Sequence, residues 1–191
     1  MSGDQIGGLP RRLMADDTTV PMTPLATGAA IGARALIDAR ALIGTREEGG
    51  NNRGALVELM LKEEGGKPGD PWCLAFVQHC YGRAYAYYNA RKLTPRGLHV
   101  GRFAQNCLAK LPLATTSAPV IGAIALHYPT GFTGPGHCGI VEAFSTTHVA
   151  TVEGNTNDHG DRDSFVGDGV HAKTRALSYW HLFIDLGRLD R

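Results

Sequence analysis

The stretch Asp70-Pro71-Trp72-Cys73-Leu74-Ala75-Phe76-Val77 carries the strongest structural signal in this chain. Aspartate is a favoured helix N-cap and proline a favoured first helical residue, so a helix is predicted to begin here with Asp70 as its cap. Apolar residues recur as far as Ala84 and predict that one side of this helix is buried. Cys73 then falls in the first turn, where the partial positive charge of the helix N-terminus stabilises a thiolate.

Further helices are predicted on both sides of this one, and strands follow them. Apolar residues three and four positions apart predict helices over 29–43, 55–62 and 102–110. Short apolar runs predict strands over 120–128, 138–144, 148–153 and 180–186, with a polar turn at 145–147. Helices followed by antiparallel strands predict an α+β domain, with N-terminal helices packed on an antiparallel sheet. We assign residues 1–27 to a flexible N-terminal arm and 28–191 to this domain.

Composition excludes several classes of function. The 191 residues are 43% hydrophobic and 19% charged, and their formal net charge is +1, so we expect a soluble protein with no nucleic-acid footprint. No apolar run approaches the roughly 18–20 residues of a membrane span, so membrane insertion is not expected. The N-terminus lacks the pattern of a signal peptide, which predicts synthesis in the cytoplasm and free thiols.

Thiol catalysis needs a thiolate, a base that takes its proton, and a group that orients the base. Cys73 is the candidate thiolate, because Cys80 lies about two turns deeper in the same helix and Cys107 and Cys138 have apolar neighbours. These other three cysteines are predicted to be structural. His137 is the candidate base, since the turn Gly134-Pro135-Gly136 places it at the start of a strand.

Two residues are candidates for orienting the base. Glu153 ends the next strand, where its carboxylate is predicted to bind Nδ1 of His137 across the hairpin. Asn155 lies two residues further on and is predicted to face the same side, so it is an alternative in the same role.

Three motifs resemble the CHAP family, the cysteine- and histidine-dependent amidohydrolases/peptidases. The segment 71–77 resembles the nucleophile helix of that family, 136–142 its histidine strand and 152–157 its acidic element. Their order and intervals also match: His137 follows Cys73 by 64 residues, and Glu153 follows His137 by 16. The segment 48–54 is similar to one in phage-encoded members, and the whole resemblance covers about residues 40–188.

The resemblance implies a papain-like fold and hydrolysis of an amide bond in peptidoglycan, by an amidase or an endopeptidase. It makes Cys73 the nucleophile, His137 the base, Glu153 the orienting acid and Asn155 a further polar member of the site. The backbone N–H of Cys73 would meet the oxyanion.

Four residues are candidates for contact with the substrate: Trp72, Glu48, Asn51 and Asn52. Trp72 either lines the cleft or packs beneath it, and packing is the favoured alternative. Glu48, Asn51 and Asn52 either bind the substrate peptide or shape a turn, and the sequence favours neither.

Neither a metal nor another cofactor is expected, since the segment 63–70 before the cysteine lacks the alternating oxygen ligands of a calcium loop. The expected partner is the stem peptide of peptidoglycan, met by a monomer at the cell wall or periplasm after release or delivery. A delivery protein or an inhibitor is the other partner considered. Two alternatives stay open: a cysteine protease or acyl transferase that acts on protein, and an inactive papain-like component of a phage tail or secretion apparatus.

Overall fold

The computed structural model describes residues 26–157 and 167–191, and within these ranges the predicted α+β class is confirmed. Four helices precede an antiparallel sheet whose strand order is β1-β6-β2-β3-β4-β5. The helices are α1 (Gly28–Ala41), α2 (Ala55–Glu63), α3 (Cys73–Tyr87) and α4 (Val100–Lys110). The strands are β1 (Thr115–Thr116), β2 (Ile124–His127), β3 (His137–Phe144), β4 (His148–Thr156), β5 (Gly169–Ala176) and β6 (Leu182–Ile184).

Strand β5 was not among the predicted strands, because its sequence is mostly polar and its buried positions do not form a run. It is an edge strand that pairs with β4 over most of its length. An edge strand with one solvated face needs few apolar residues, since its backbone hydrogen bonds to one neighbour hold it in place. This strand also contributes a residue to the candidate active site.

The start of α3 also differs from the prediction. The helix begins at Cys73 with Trp72 as N-cap, and Trp72 makes no side-chain capping bond. The predicted cap, Asp70, instead closes the preceding turn, where its carboxylate accepts a hydrogen bond from the backbone N–H of Lys67 at 2.9 Å. Cys73 is therefore the first helical residue, and its own N–H is one of those that have no partner within the helix.

Helix α3 packs against β3 and β4 and forms the main core together with α1. The approach to β4 is very close at Gly154. A Cβ atom there would lie 2.6 Å from Cβ of Phe76 and 2.8 Å from Cζ3 of Trp72. Only glycine allows the first turns of α3 to lie directly on the strand, so Gly154 sets the distance between the helix N-terminus and the sheet.

The predicted N-terminal arm, 1–27, lies outside the described residues except for its last two. Of these, Thr27 caps α1, since its hydroxyl accepts a hydrogen bond from the N–H of Ala30 at 3.1 Å. In the part of the chain that the structure describes, every helix is too short or too polar to cross a membrane.

Candidate active site

The structure brings three of the predicted catalytic residues together where α3 and β3 begin, beside β4. Cys73 begins α3, His137 begins β3, and Glu153 lies on the neighbouring strand β4. Their exposed fractions are 2%, 0% and 0%. Nε2 of His137 and Oε2 of Glu153 are 2.8 Å apart, and the imidazole also interacts with the sulfur of Cys73. A thiol, an imidazole and a carboxylate thus follow one another in the order that thiol catalysis requires.

The predicted contact between Glu153 and Nδ1 of His137 is wrong, because the carboxylate binds Nε2 instead. The reason is the position of Glu153 on the sheet. Its side chain crosses β3 over Gly139, two residues beyond His137, and a Cβ at Gly139 would lie 2.8 Å from Cγ of Glu153. From there only the distal ring nitrogen is within reach. Nδ1 has no hydrogen-bond partner among the described residues, so it is the ring nitrogen that remains to exchange a proton with Cys73.

The electrostatics of the site favour a charged cysteine–histidine pair. A hydrogen bond from the Cys138 thiol and the interactions with His137 lower the pKa of Cys73 to about 5, although burial opposes this. Burial also disfavours the imidazolium, but Glu153 and Cys73 outweigh it and raise the pKa of His137 to about 9. Between these two values Cys73 is a thiolate and His137 an imidazolium, which is the reactive form of such a pair.

Cys138 was predicted to be structural, but it interacts with Cys73 in the candidate site. Neighbouring residues of a strand point to opposite faces, so Cys138 turns towards α3 while Glu153 approaches His137 on the other face. Burial raises the pKa of Cys138 well above the usual range, so it stays a protonated donor beside the Cys73 sulfur. Cys80 and Cys107 are core thiols as expected, and burial raises the pKa of each, that of Cys107 to about 12.

Glu153 has hydrogen-bond partners in addition to His137. The Arg175 guanidinium on β5 donates to both of its oxygens, from Nε at 2.9 Å and from Nη2 at 2.7 Å. The Thr151 hydroxyl donates to Oε1 at 2.6 Å. Burial alone would raise the pKa of Glu153, but His137 and Arg175 outweigh it and lower that pKa to about 2. Arg175 was missed as a site residue because β5 was not predicted to be a strand.

Asn155 makes no hydrogen bond to His137. The pairing of β4 with β5 is irregular between Glu153 and Thr156, and Asn155 has a left-handed backbone with φ of 55°. This irregularity removes Asn155 from the regular alternation of the strand. The residue is fully buried, and neither atom of its amide has a hydrogen-bond partner among the described residues.

Two of the four candidates for substrate contact are buried, and for Trp72 this confirms the favoured alternative. Trp72 is fully buried, and its Nε1–H donates to Oε1 of Glu47 at 2.8 Å, so it packs beneath the site. Asn52 donates from its backbone N–H to Oε2 of Glu47 at 2.7 Å and from Nδ2 to the carbonyl of Gly69 at 3.1 Å. It therefore shapes the loop. Glu47 ties this loop to the residue before Cys73, and sequence reasoning missed it because acidic residues are common in loops.

The other two, Glu48 and Asn51, are exposed on the same loop. Neither of them lines the cavity of about 230 Å³ that opens beside Cys73. Its walls come from the start of α3, the N-terminus of α4 and the turn before His137. The lining residues are Pro71, Cys73, Leu98, His99, Val100, Gly134, Pro135 and Gly136.

Within 26–157 and 167–191, no three His, Cys, Asp or Glu side chains are grouped so that they could hold a metal ion.

Comparison with protein-family models and with curated proteins finds no match. Among solved structures, the chain is similar to the crystal structure of Ly7917, with 16% identity and a TM-score of 0.46. The similarity covers 80% of this chain and 61% of Ly7917, so the chain spans less than two thirds of the length of that protein.

Proposed function

We propose that this protein is a papain-like cysteine amidohydrolase of the CHAP type that cleaves an amide bond in the peptide part of peptidoglycan. The observation that carries the proposal is the interaction of Cys73, the first residue of α3, with a buried His137 whose Nε2 binds Glu153 at 2.8 Å. The resemblance of the three motifs supplies the substrate class.

The first chemical stage is acylation. The Cys73 thiolate attacks the carbonyl carbon of the scissile amide and forms a tetrahedral intermediate. The backbone N–H of Cys73 has no partner within the helix and is available to the oxyanion. When the intermediate collapses, the C–N bond breaks and the His137 imidazolium gives its proton to the leaving amine. The products of this stage are a free amine and a thioester on Cys73.

The second stage is hydrolysis of the thioester. His137, now neutral, accepts a proton from a water molecule, which attacks the thioester carbonyl. The C–S bond breaks, the acid product leaves, and the thiolate–imidazolium pair is restored. Glu153 stabilises the imidazolium in each resting state, and its contact with Nε2 leaves Nδ1 as the nitrogen that exchanges the proton.

The cavity beside Cys73 is the place where a substrate would reach the sulfur. It is mainly apolar, and His99 is its one titratable side chain apart from Cys73. A neutral peptide segment with a small side chain, such as the alanine of a stem peptide, suits these walls better than a charged one, because a buried unpaired charge is costly.

The test is digestion of purified peptidoglycan by the wild type and by Cys73→Ala, followed by mass analysis of the fragments. We expect new free amino groups without new reducing sugar ends from the wild type, and no release from Cys73→Ala. Cys80→Ala is the matched control, because it removes a thiol two turns deeper in the same helix whose burial raises its pKa. This control should digest peptidoglycan like the wild type.

Two outcomes would contradict the proposal. Cleavage of unfolded protein but not of peptidoglycan would identify a protease or acyl transferase. If iodoacetamide modifies Cys73 no faster than Cys80 near neutral pH, the site is inactive and a structural role in a larger assembly is favoured.

A further inference from the structure

A buried arginine, Arg175, binds the carboxylate of the candidate site in addition to His137. Its side chain is 4% exposed, and that of Glu153 is 0% exposed. Nε donates to one carboxylate oxygen at 2.9 Å and Nη2 to the other at 2.7 Å, which is the two-point geometry that makes such pairs strong. The guanidinium also lies over the Tyr179 ring, with Cζ 4.7 Å from the ring centroid.

Among the described residues, the charges of the site balance when Arg175 is counted. In the reactive form Cys73 and Glu153 each carry a negative charge, and His137 carries one positive charge. These three groups are almost completely buried, so their sum of −1 would be costly away from water. Arg175 supplies the fourth charge and brings the buried sum to zero.

We propose that Arg175 is a positioning residue whose charge allows the Cys73 thiolate and the Glu153 carboxylate to be ionised at the same time. It acts through Glu153 and is not itself in contact with the sulfur. This inference rests on the proposed function, because it concerns the same thiolate. It goes further by assigning the balance of charge to a residue of β5, a strand to which the resemblance gives no catalytic role.

The other titratable groups near Glu153 do not replace Arg175. Strand β5 also places His171 opposite Glu153 and Lys173 opposite Thr151. Nε2 of His171 lies 2.9 Å from Oδ1 of Asp168, and Nζ of Lys173 donates to the carbonyl of Asn157 at 2.9 Å. Both are thus directed to partners other than Glu153.

Around Cys73 itself, the titratable groups among the described residues are His137 and Cys138 from β3 and His99 from the start of α4, which lines the same cavity. Glu47 approaches from the loop but is bound to Trp72 and Asn52. None of these groups brings a permanent positive charge. The low pKa of Glu153, about 2, agrees with a carboxylate that stays ionised because of its two cationic partners.

The test is the rate of Cys73 alkylation by iodoacetamide from pH 4 to pH 9, with the modified cysteine identified by mass spectrometry. The full chain is used as wild type, Arg175→Gln, Arg175→Lys and Arg40→Met. Arg40 of α1 is the matched control, because it forms an arginine–glutamate pair at 2.6 Å with Glu142 of β3, and its side chain is 50% exposed. Circular dichroism checks that each variant is folded.

We expect the midpoint of the wild-type rate to lie near pH 5, where the pKa of Cys73 falls. Arg175→Gln keeps a hydrogen-bond donor but removes the charge, so its midpoint should rise by one unit or more, which slows alkylation at pH 5 by about fivefold. Arg175→Lys keeps the charge, so its midpoint should stay within about half a unit of the wild type. Arg40→Met should not move the midpoint.

A folded Arg175→Gln variant with a wild-type midpoint would overturn the inference and leave Arg175 with a purely structural role. If Arg175→Gln does not fold, Arg175→Lys decides: a midpoint raised by a full unit despite the retained charge would equally overturn it. A wild-type Cys73 that titrates like an ordinary thiol would refute the proposed function and this inference together. If the midpoint of Cys73 alkylation is low in the wild type and is not changed by substitution of Arg175, the inference alone is refuted.

Discussion

Replacing Gly154 by alanine should separate the nucleophile from its base. The added Cβ would lie 2.6 Å from Cβ of Phe76, whereas ordinary contacts begin at 3.4 Å, so strand and helix must move apart by about 0.8 Å. Phe76 lies one turn after Cys73, and this movement therefore carries the sulfur away from His137. We expect a loss of about 1–3 kcal/mol in the free energy of unfolding and a fall in peptidoglycan cleavage of up to about a hundredfold.

The measurements are urea unfolding followed by circular dichroism, the rate of peptidoglycan digestion, and the rate of Cys73 alkylation at pH 6. Gly82→Ala is the matched control, since Gly82 lies in the same helix and a Cβ there meets no atom within 4 Å. Alanine should stabilise that helical position by roughly 0.5–1 kcal/mol and leave activity unchanged. If Gly154→Ala equals Gly82→Ala in both stability and activity, the close approach of α3 to β4 does not set the geometry of the site.

Further predictions concern protonation at the site. The rate kcat/KM should rise as pH increases through about 5 and fall as it passes about 9, since the pKa values of Cys73 and His137 bound the reactive form; a rate that still increases above pH 9 would contradict the ion pair. Cys138→Val removes the thiol donor and should raise the midpoint of Cys73 alkylation by about a unit or more, while a Cys107→Val control should not. Glu153 has a folded pKa of about 2 against an ordinary 4.5; its ionisation stabilises the fold above pH 4.5, and this contribution of about 3 kcal/mol is lost as pH falls towards 2. Urea unfolding at pH 6 and pH 3 should show about 2 kcal/mol of that loss, and a Glu153→Gln variant should show much less of it.

The ionisation of Glu153 depends on the groups that bind its carboxylate. Glu153 receives two hydrogen bonds from Arg175 and one from Thr151 in addition to its contact with His137. All its oxygen positions are therefore occupied in a region without access to water. This explains how a fully buried carboxylate remains ionised beside a thiolate, although each negative charge disfavours the other.

Much of the fold and of the site was predictable from local sequence. Apolar residues spaced three and four positions apart predicted α1, α2 and α4 to within a few residues, because an α-helix has 3.6 residues per turn. The hairpin of β3 and β4 was predictable from two apolar runs and a short polar turn. The choice of Cys73, His137 and Glu153 also followed from the sequence, since a helix start and two strand ends are features of the local chain.

Other features depend on residues that are distant in sequence. Strand β5 forms because its backbone pairs with the edge of β4, and the polar sequence of the segment does not predict this pairing. The role of Arg175 follows from this pairing, and the contact of Cys138 with Cys73 follows from the packing of α3 on β3. Local sequence patterns depend only on residues a few positions apart, whereas strand pairing and burial depend on which distant segments pack together.

The sequence by itself thus determined the α+β class and the identity of the candidate thiol, base and acid. The tertiary structure alone decided which imidazole nitrogen binds Glu153, and that Trp72 and Asn52 are buried supports instead of substrate contacts. It also decided that an arginine from the sheet edge joins the site. The physical reason is that hydrogen-bond partners and charge balance depend on distances of a few ångströms between segments, which no local pattern encodes.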